Sequence, residues 1–327
     1  MGIGTVASGM IGPPVTLWIP VMIELLAAVG VIFISLVLQS LPFILVGVLA
    51  SAAVQIYLSD QMVARWLPRG RLSVVVLGGL LGMVVPACDC GAIPMARRLV
   101  LKGVPVYGAL AFILAAPVVN PIVILTTFVA FQGDLAIVGW RVGMSFGVAV
   151  TIGLLASYVF AKRDPALELI RATARSSSMT DASPPGQRRR HRTIVRLLGL
   201  ANDDFLDVIP FVIIGSFVTA SIQTFVPRED LVLLGSHEAL SIAAAMPLAS
   251  ILSVCSQADA FIARAFADTF TPGAIVAFMV IGQIVDLRNG ALLLRTLGVR
   301  YVILVGVSAY VLVFAASLAA NLTTFAP

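Results

Sequence analysis

The chain has 327 residues, of which 60% are hydrophobic and 11% are charged, and its mean hydropathy is +1.06. Soluble domains carry roughly 45–50% apolar and about 25% charged residues, so this composition excludes a soluble globular fold and indicates a polytopic membrane protein. The formal net charge of +5 does not indicate nucleic-acid binding, because the basic residues gather between apolar runs, where they set membrane topology. We therefore expect an all-α chain embedded in a lipid bilayer.

Apolar runs follow one another along the chain, and a helix needs about 20 residues to span the hydrocarbon core. The first run, Val15–Leu58, is interrupted by Pro42 and predicts two spans, near 17–36 and 41–58. Later spans are expected near 104–131, 135–160, 208–226, 239–254, 271–297 and 301–325. Arg141 lies close to the start of one of these spans, and we expect its side chain to extend to the interface.

Residues 161–192 differ in composition from the rest of the chain. They carry eight Lys and Arg residues together with Ser176–Ser178 and Pro184–Gly186, a pattern typical of a flexible, solvated linker. The basic residues predict that this linker is cytoplasmic. It divides the chain into a first transmembrane half, 1–160, and a second half, 193–327, which is expected to open with an interfacial turn at Asn202–Asp207.

An internal repeat relates the two halves. Leu41–Gln55 matches Ile209–Gln223 at an offset of 168 residues, with five identities and mostly conservative changes elsewhere. The repeat core begins near residue 41. When the alignment of the two halves is continued from there, it pairs Cys88–Cys90 with Cys255–Gln257. At an offset of 166 it pairs Asn120 with Asp286. Duplicated halves around discontinuous helices are typical of secondary transporters, whose sites lie at the repeat interface; two halves with separate structural kinks are the alternative.

Prolines predict where the apolar runs break. The expected structural breaks are Pro86, Pro94, Pro117 and Pro121. Ser73–Lys102 then either crosses the membrane once or forms a re-entrant hairpin. We favour the hairpin, because it places Arg65–Arg71 and Arg97–Lys102 on one side and makes the repeats inverted. Seven spans and two hairpins result, against nine spans if both segments cross.

All three cysteines of the chain fall at one repeat position and its counterpart. Thiolates suit soft, thiophilic species, so Cys88, Cys90 and Cys255 are candidates for a trigonal sulfur site that holds a soft metalloid. A helix starting near Gly91 would direct its positive end at the first two. The alternative is that the cysteines are small apolar fillers, as buried free cysteines often are.

Polar residues inside apolar runs complete the candidate site, because an ionisable group in a membrane is costly unless it is paired or faces a cavity. The candidate substrate-binding residues are Cys88, Asp89, Cys90, Asn120, Cys255, Gln257, Asp259 and Asp286. Asp89 and Asp259 are candidates for proton coupling, although a structural salt bridge or helix cap explains each one equally well. The arginines considered as their partners are Arg97, Arg264 and Arg288.

The sequence contains few of the residues and motifs that are typical of enzymes. His191 and His237 are the two histidines, and there is no phosphate-binding loop, so we expect neither an enzyme nor a resident cofactor. One enzymatic alternative remains open, a membrane thiol oxidoreductase that uses Cys88 and Cys90. Such enzymes usually carry Cys-x-x-Cys rather than Cys-x-Cys.

The chain resembles the predicted permease family that includes the ArsP-type organoarsenical efflux permeases and their YraQ-like relatives. The resemblance rests on Pro86–Pro94, Lys102–Pro105, Ala109–Phe112, Ala115–Pro121, Ala258–Ile262, Gly273–Phe278 and Asp286–Asn289. It implies a multi-spanning bacterial inner-membrane permease, in a family of which some members export trivalent methylated arsenicals. Asp89 departs from the small residue expected between the cysteines, and Gln283 departs from the proline expected at the counterpart of Pro117.

The sequence thus predicts a secondary permease that exports a thiophilic small solute, such as a trivalent organoarsenical, by motion of one half against the other. Its expected partners are the lipid bilayer and a small-molecule or metalloid substrate, with no nucleic acid, and a homo-oligomer is left open. The rival readings are a permease for another solute with structural cysteines, the thiol oxidoreductase, and a non-transporting subunit of a larger assembly.

Overall fold

The computed structural model describes residues 15–85, 88–160, 164–170, 189–225, 238–267 and 269–324. Within them the chain forms fourteen helices and no strands, which confirms the all-α polytopic fold. The helices of the first half are α1 (Val15–Tyr57), α2 (Asp60–Trp66), α3 (Arg71–Val84), α4 (Asp89–Leu101), α5 (Val106–Ala115), α6 (Pro121–Ala130) and α7 (Leu135–Val159). The later helices are α8 (165–170), α9 (Arg189–Phe225), α10 (Glu238–Leu252), α11 (Asp259–Ala265), α12 (Pro272–Ile284), α13 (Leu287–Leu297) and α14 (Val299–Thr323).

The first half contains a re-entrant hairpin made of α3 and α4. Helices α3 and α5 run parallel, since a Cβ on Gly78 would touch Gly108 and a Cβ on Gly82 would touch Ala116. Because α5 begins beside the start of α3, the intervening α4 must run back along α3. The Lys102 side chain, just after α4, accordingly donates to the carbonyl of Leu58, just after α1. The hairpin prediction for Ser73–Lys102 agrees with this arrangement.

The second half repeats the same order of elements. Helices α10 and α12 run parallel, since the Thr271 amide donates to Ser241 Oγ over 3.2 Å and a Cβ on Gly282 would touch Ala249. The short α11 lies between them in the chain and runs back from the end of α10. Helix α14 is antiparallel to α12, with Asn321 Oδ1 accepting from the Gly273 amide at 2.8 Å.

The two halves have opposite orientations in the bundle. The first hairpin enters beside the end of α7, where the Arg71 guanidinium lies 5.3 Å from the Tyr158 ring centroid. The second hairpin enters beside the end of α14, and that end meets the start of α7 through a Trp140–Thr324 hydrogen bond of 2.9 Å. We call the first of these two ends the basic end, because Arg71, Lys102, Arg295 and Arg300 lie there. The repeats are therefore inverted, and the two hairpin tips point toward each other from opposite ends.

The number of spans differs from the prediction. Residues 17–58 do not form two spans, because α1 is one continuous helix of 43 residues that accommodates Pro42. By length and composition four helices can each cross a membrane, within α1, α7, α9 and α14, and α12 with α13 forms a fifth span bent by 41°. Helices α5 and α6 are shorter apolar helices, so the described residues give four candidate spans, or five with the bent pair.

Three further expectations need correction. Asn202–Asp207 is not a turn, because α9 runs through it without interruption. Pro94 is not a break, because it lies inside α4; Pro117 and Pro121 do lie at the break between α5 and α6, and Pro86 lies outside the described residues. The 161–192 segment is not wholly a solvated linker, since 165–170 is helical with buried Ala166 and Ile170, and α9 begins at Arg189. Residues 171–188 lie outside the described residues.

Helices α1 and α4 cross through bare backbone at Gly47 and Gly91. A Cβ on Gly47 would lie 2.3 Å from the Gly91 Cα, so Gly47→Ala forces the helices apart. Overpacking of this kind costs about 1–3 kcal/mol, and we expect that loss in the free energy of unfolding measured in mixed micelles. The matched control is Gly30→Ala on the same helix, where a Cβ meets nothing within 4 Å and stability should hold or rise. Equal effects of the two changes would contradict this packing.

Candidate functional site

The two hairpin tips carry most of the predicted site residues. The first tip connects Val85, the C-cap of α3, to Cys88, the N-cap of α4. Asp89 and Cys90 are the first two residues of that helix, and their side chains lie outside the described part. Residues 253–258 form the second tip. There the Cys255 thiol donates to Gln257 Oε1 at 2.7 Å. Both described cysteines, Cys88 and Cys255, are partly buried.

The positions at which the returning helices begin give a different pairing of residues between the two halves from the pairing that the sequence offset gave. The sequence alignment set Cys88–Cys90 against Cys255–Gln257. In the structure Cys88 and Ala258 are the N-caps of the returning helices, so Asp89 and Asp259 hold the same first helical position. The second tip is two residues longer than the first, which a fixed offset cannot represent.

The second tip is held in place by an unusual backbone conformation and by hydrogen bonds to other residues of the second half. Ser253 has a φ of 48°, in the left-handed region that only a few per cent of non-glycine residues adopt. Its hydroxyl accepts from the Leu287 amide at 3.3 Å, and its carbonyl accepts from Arg288 at 3.1 Å. Gln283 Nε2 also donates to the Val254 carbonyl at 3.2 Å. The tip is thereby held against the junction of α12 and α13.

A buried ion pair joins this tip to the first half of the chain. Arg141 Nη2 on α7 lies 2.7 and 2.9 Å from the two carboxylate oxygens of Asp259. The two residues are 1% and 2% exposed. The expectation that Arg141 extends to the interface was therefore wrong: its side chain points into the protein. The same nitrogen donates to the Ser256 carbonyl at 3.3 Å.

The ion pair has further polar neighbours on two other helices. Gln283 Nε2 on α12 donates to Asp259 Oδ2 at 2.9 Å, and Arg141 Nη1 donates to Thr127 Oγ1 on α6 at 2.8 Å. The Gln283 residue that departs from the family's expected proline thus stabilises the carboxylate. Arg141 Nε is buried with no hydrogen-bond partner among the described atoms. One polar centre therefore connects α6 and α7 of the first half with α11 and α12 of the second.

Asn120 and Asp286 occupy equivalent positions, as the repeat predicted, and both cap helices. Asn120 Oδ1 accepts from the Val123 amide at 3.0 Å at the start of α6, and Asp286 Oδ1 accepts from the Asn289 amide at the start of α13. Both residues are almost fully buried. A side-chain cap satisfies backbone donors that a broken helix would otherwise leave without a partner in the membrane. The described contacts support the structural alternative for these two residues.

A second group of charges lies at the basic end. Arg98 on α4 binds Asp204 on α9 through two hydrogen bonds of 2.9 Å, and Ser51 of α1 donates to the same carboxylate. One turn further along, Asp207 lies 2.9 Å from Arg97 and 3.1 Å from Arg295 of α13. These contacts attach the first hairpin to the second half around a cavity of about 40 Å³. The sequence reading missed this cluster, although the i, i+3 spacing of Asp204 and Asp207 indicates a shared helix face.

The structure does not bring all of the predicted partners together. Arg97 pairs with Asp207, and Asp259 pairs with Arg141 instead of Arg97, Arg264 or Arg288. Among the described side chains there is no group of three or more His, Cys, Asp and Glu residues that could hold a metal ion. The Cys90 side chain is outside that set, so the three-sulfur arrangement stays a prediction.

The inverted halves, the paired hairpins and the buried charges at their junction define an integral membrane protein of the transporter class. The family described as "Predicted permease" (ArsP_1) matches residues 25–322, and the chain belongs to it. This confirms the resemblance drawn from the sequence.

Two curated relatives cover nearly the whole chain. The "UPF0718 protein YcgR" of Bacillus subtilis is 38% identical over 292 residues, which are 88% of this chain and 95% of the relative. The "Putative two-component membrane permease complex subunit" of Streptococcus mutans is 33% identical over 283 residues, which are 86% of this chain and 91% of the relative. No solved structure matches the chain.

The ion pair predicts a strong and asymmetric response to mutation. Asp259→Asn leaves the Arg141 charge buried without a counter-charge, and breaking a buried pair in this way costs about 3–5 kcal/mol. We expect that loss in the free energy of unfolding in mixed micelles. The double variant Arg141→Met with Asp259→Leu removes both charges and should lie closer to the wild type. A double variant as unstable as Asp259→Asn would show that uncompensated charge is not the cause.

Proposed function

We propose that this permease is a secondary transporter that exports a thiophilic small solute, such as a trivalent organoarsenical. The observation that carries the proposal is the position of the cysteines: Cys88 caps the returning helix of one hairpin, and Cys255 lies in the tip of the other. Two inverted hairpins whose tips approach from opposite ends suit a site that is reached alternately from the two sides of the membrane.

The chemistry of the first tip favours a soft ligand. Thiolates are soft donors, and trivalent arsenic is thiophilic. Cys88 lies at the N-terminus of the 13-residue α4, whose dipole stabilises negative charge and so favours the thiolate. Cys90 follows within the same turn and is the second donor of the proposed site. Cys255 supplies the third donor from the other half.

The ion pairs suggest how the halves move during transport. Arg141 and Asp259 form a buried, charge-neutral contact between halves, which we propose as the fixed centre of the motion. The more exposed Arg97–Asp207–Arg295 contacts hold the first hairpin against the second half at the basic end. These surface-facing pairs are individually weak, so they can separate when the site opens on that side.

The sulfur site is tested by transport in proteoliposomes loaded with a trivalent methylarsenical. We expect Cys88→Ser, Cys90→Ser and Cys255→Ser each to lower the transport rate by about tenfold or more, because a hydroxyl is a poor ligand for a soft centre. Ser221→Ala, at a partly exposed serine whose hydroxyl donates to the Phe217 carbonyl of the same helix, is the control and should transport as the wild type does.

Two negative outcomes have different meanings. Unchanged transport in all three cysteine variants would remove the sulfur site and leave a permease with structural cysteines. Failure of the wild type to move any solute in a panel of metalloids and thiol compounds would reject the proposed substrate class.

We further propose that the chain lies in a bacterial inner membrane with its basic end in the cytoplasm. Arg65, Arg71, Lys102 and Arg300 lie together at that end, as the positive-inside rule requires. In a cysteine-free background, Arg65→Cys should react with a membrane-impermeant maleimide only from the cytoplasmic side and Thr323→Cys only from the opposite side. Labelling of both from one side would reject the inverted arrangement of hairpins.

A second candidate is a permease that works as one component of a complex. The Streptococcus mutans relative is named as the subunit of a two-component membrane permease complex, and that name favours this reading. Purified chain that transports by itself in proteoliposomes would exclude an obligatory second component.

A further inference from the structure

An apolar pocket of about 380 Å³ lies between the first hairpin and its neighbours near the basic end. Its walls come from α2, α3, α5 and the ends of α1 and α4, and every residue that lines it is apolar or glycine. Val63, Leu77, Leu99 and Phe112 are the lining residues taken here to represent α2, α3, α4 and α5. The volume falls within the range of about 300–1,000 Å³ that is usual for small-ligand pockets.

Basic residues lie close in the sequence to the residues that line this pocket. Lys102 donates to the carbonyl of Leu58, which is itself a lining residue. Arg65 lies on α2 between lining residues 63 and 67, and Arg71 lies one turn before lining residue Val74. Segment 58–71 and Lys102 together contain four basic residues, which are Arg65, Arg69, Arg71 and Lys102. They contain one acidic residue, Asp60.

We propose that this pocket binds one acyl chain of an anionic glycerophospholipid, with the headgroup held by the basic residues at its rim. An apolar cavity in a membrane favours a hydrocarbon chain, and basic clusters at helix ends attract anionic headgroups.

The bound acyl chain would lie against the first hairpin, which is the part that we propose to move during transport. Helix α3 and the end of α4 form one side of the pocket, and Gly108 and Phe112 of α5 form the other. Gly78 and Gly108 already approach so closely that a Cβ on Gly78 would lie 2.2 Å from the Gly108 carbonyl oxygen. The lipid therefore fills the space that remains between the hairpin and α5, and it stabilises this position of the hairpin.

Lipid binding to the purified full-length protein in detergent tests the proposal. The probes are phosphatidylglycerol and phosphatidylcholine with identical acyl chains, and native mass spectrometry measures the bound lipid. We expect the wild type to retain phosphatidylglycerol about fivefold to tenfold more tightly, in keeping with the attraction of a few basic residues for an anionic headgroup. Equal retention of the two lipids would overturn the proposal.

Two variants separate the acyl chain from the headgroup. Leu77→Trp fills the pocket and should abolish retention of phosphatidylglycerol, whereas Leu125→Trp, at an exposed position of α6, should not. The double variant Arg65→Gln with Arg69→Gln should reduce binding of phosphatidylglycerol to the level of phosphatidylcholine. Its control is Arg196→Gln with Arg300→Gln, two exposed arginines on other helices.

Each variant can also contradict the proposal. Unchanged retention by Leu77→Trp would place the lipid elsewhere, and if that variant does not fold, unchanged selectivity of the Arg65 and Arg69 variant would reject the headgroup site by itself. Displacement of the lipid by the transported solute would assign the pocket to the solute instead. None of these measurements depends on transport, so failure of the proposed substrate class leaves the test intact.

Discussion

The contact between Arg141 and Asp259 constrains the arrangement of the two halves. Two charges at 1% and 2% exposure are tolerated inside a membrane protein only because each neutralises the other and is hydrogen-bonded. The pair joins α7 to the second hairpin, and Gln283 and Thr127 extend the network to α12 and α6. Separating the halves here exposes two charges to a low-dielectric interior. Their relative position is therefore better defined here than at the partly exposed contact between Asp207 and Arg295.

Much of the fold could be predicted from local properties of the sequence. Hydropathy indicates helices that cross a bilayer, and the distribution of basic residues favours hairpins over full crossings at Ser73–Lys102. The errors arose where tertiary packing decides. Pro42 and Pro94 suggest breaks, yet both lie inside helices, because neighbouring helices in a membrane can satisfy the backbone groups that proline leaves free. The polar run Asn202–Asp207 likewise stays helical, because Arg97 and Arg98 compensate its carboxylates.

The candidate site, like the fold, could be predicted only in part from the sequence. The repeat placed Cys88, Cys255, Asn120 and Asp286 at related positions, and the structure has them at the two tips and at the two matching helix caps. Periodicity could not identify the partner of Asp259, because Arg141 is 118 residues away in the sequence and stands near the end of an apolar run, where an arginine usually reaches the interface. A buried pair of this kind is visible only once the helices are packed.

The crossing of α1 and α4 at Gly47 and Gly91 has a mechanical consequence. Side chains that interdigitate resist sliding, because each must leave its pocket before the next position is reached. Two glycines that meet backbone to backbone present a smooth contact with nothing to disengage. At this point of the crossing the first hairpin therefore contacts the long helix α1 through backbone atoms, with no interlocked side chains to resist a shift between them.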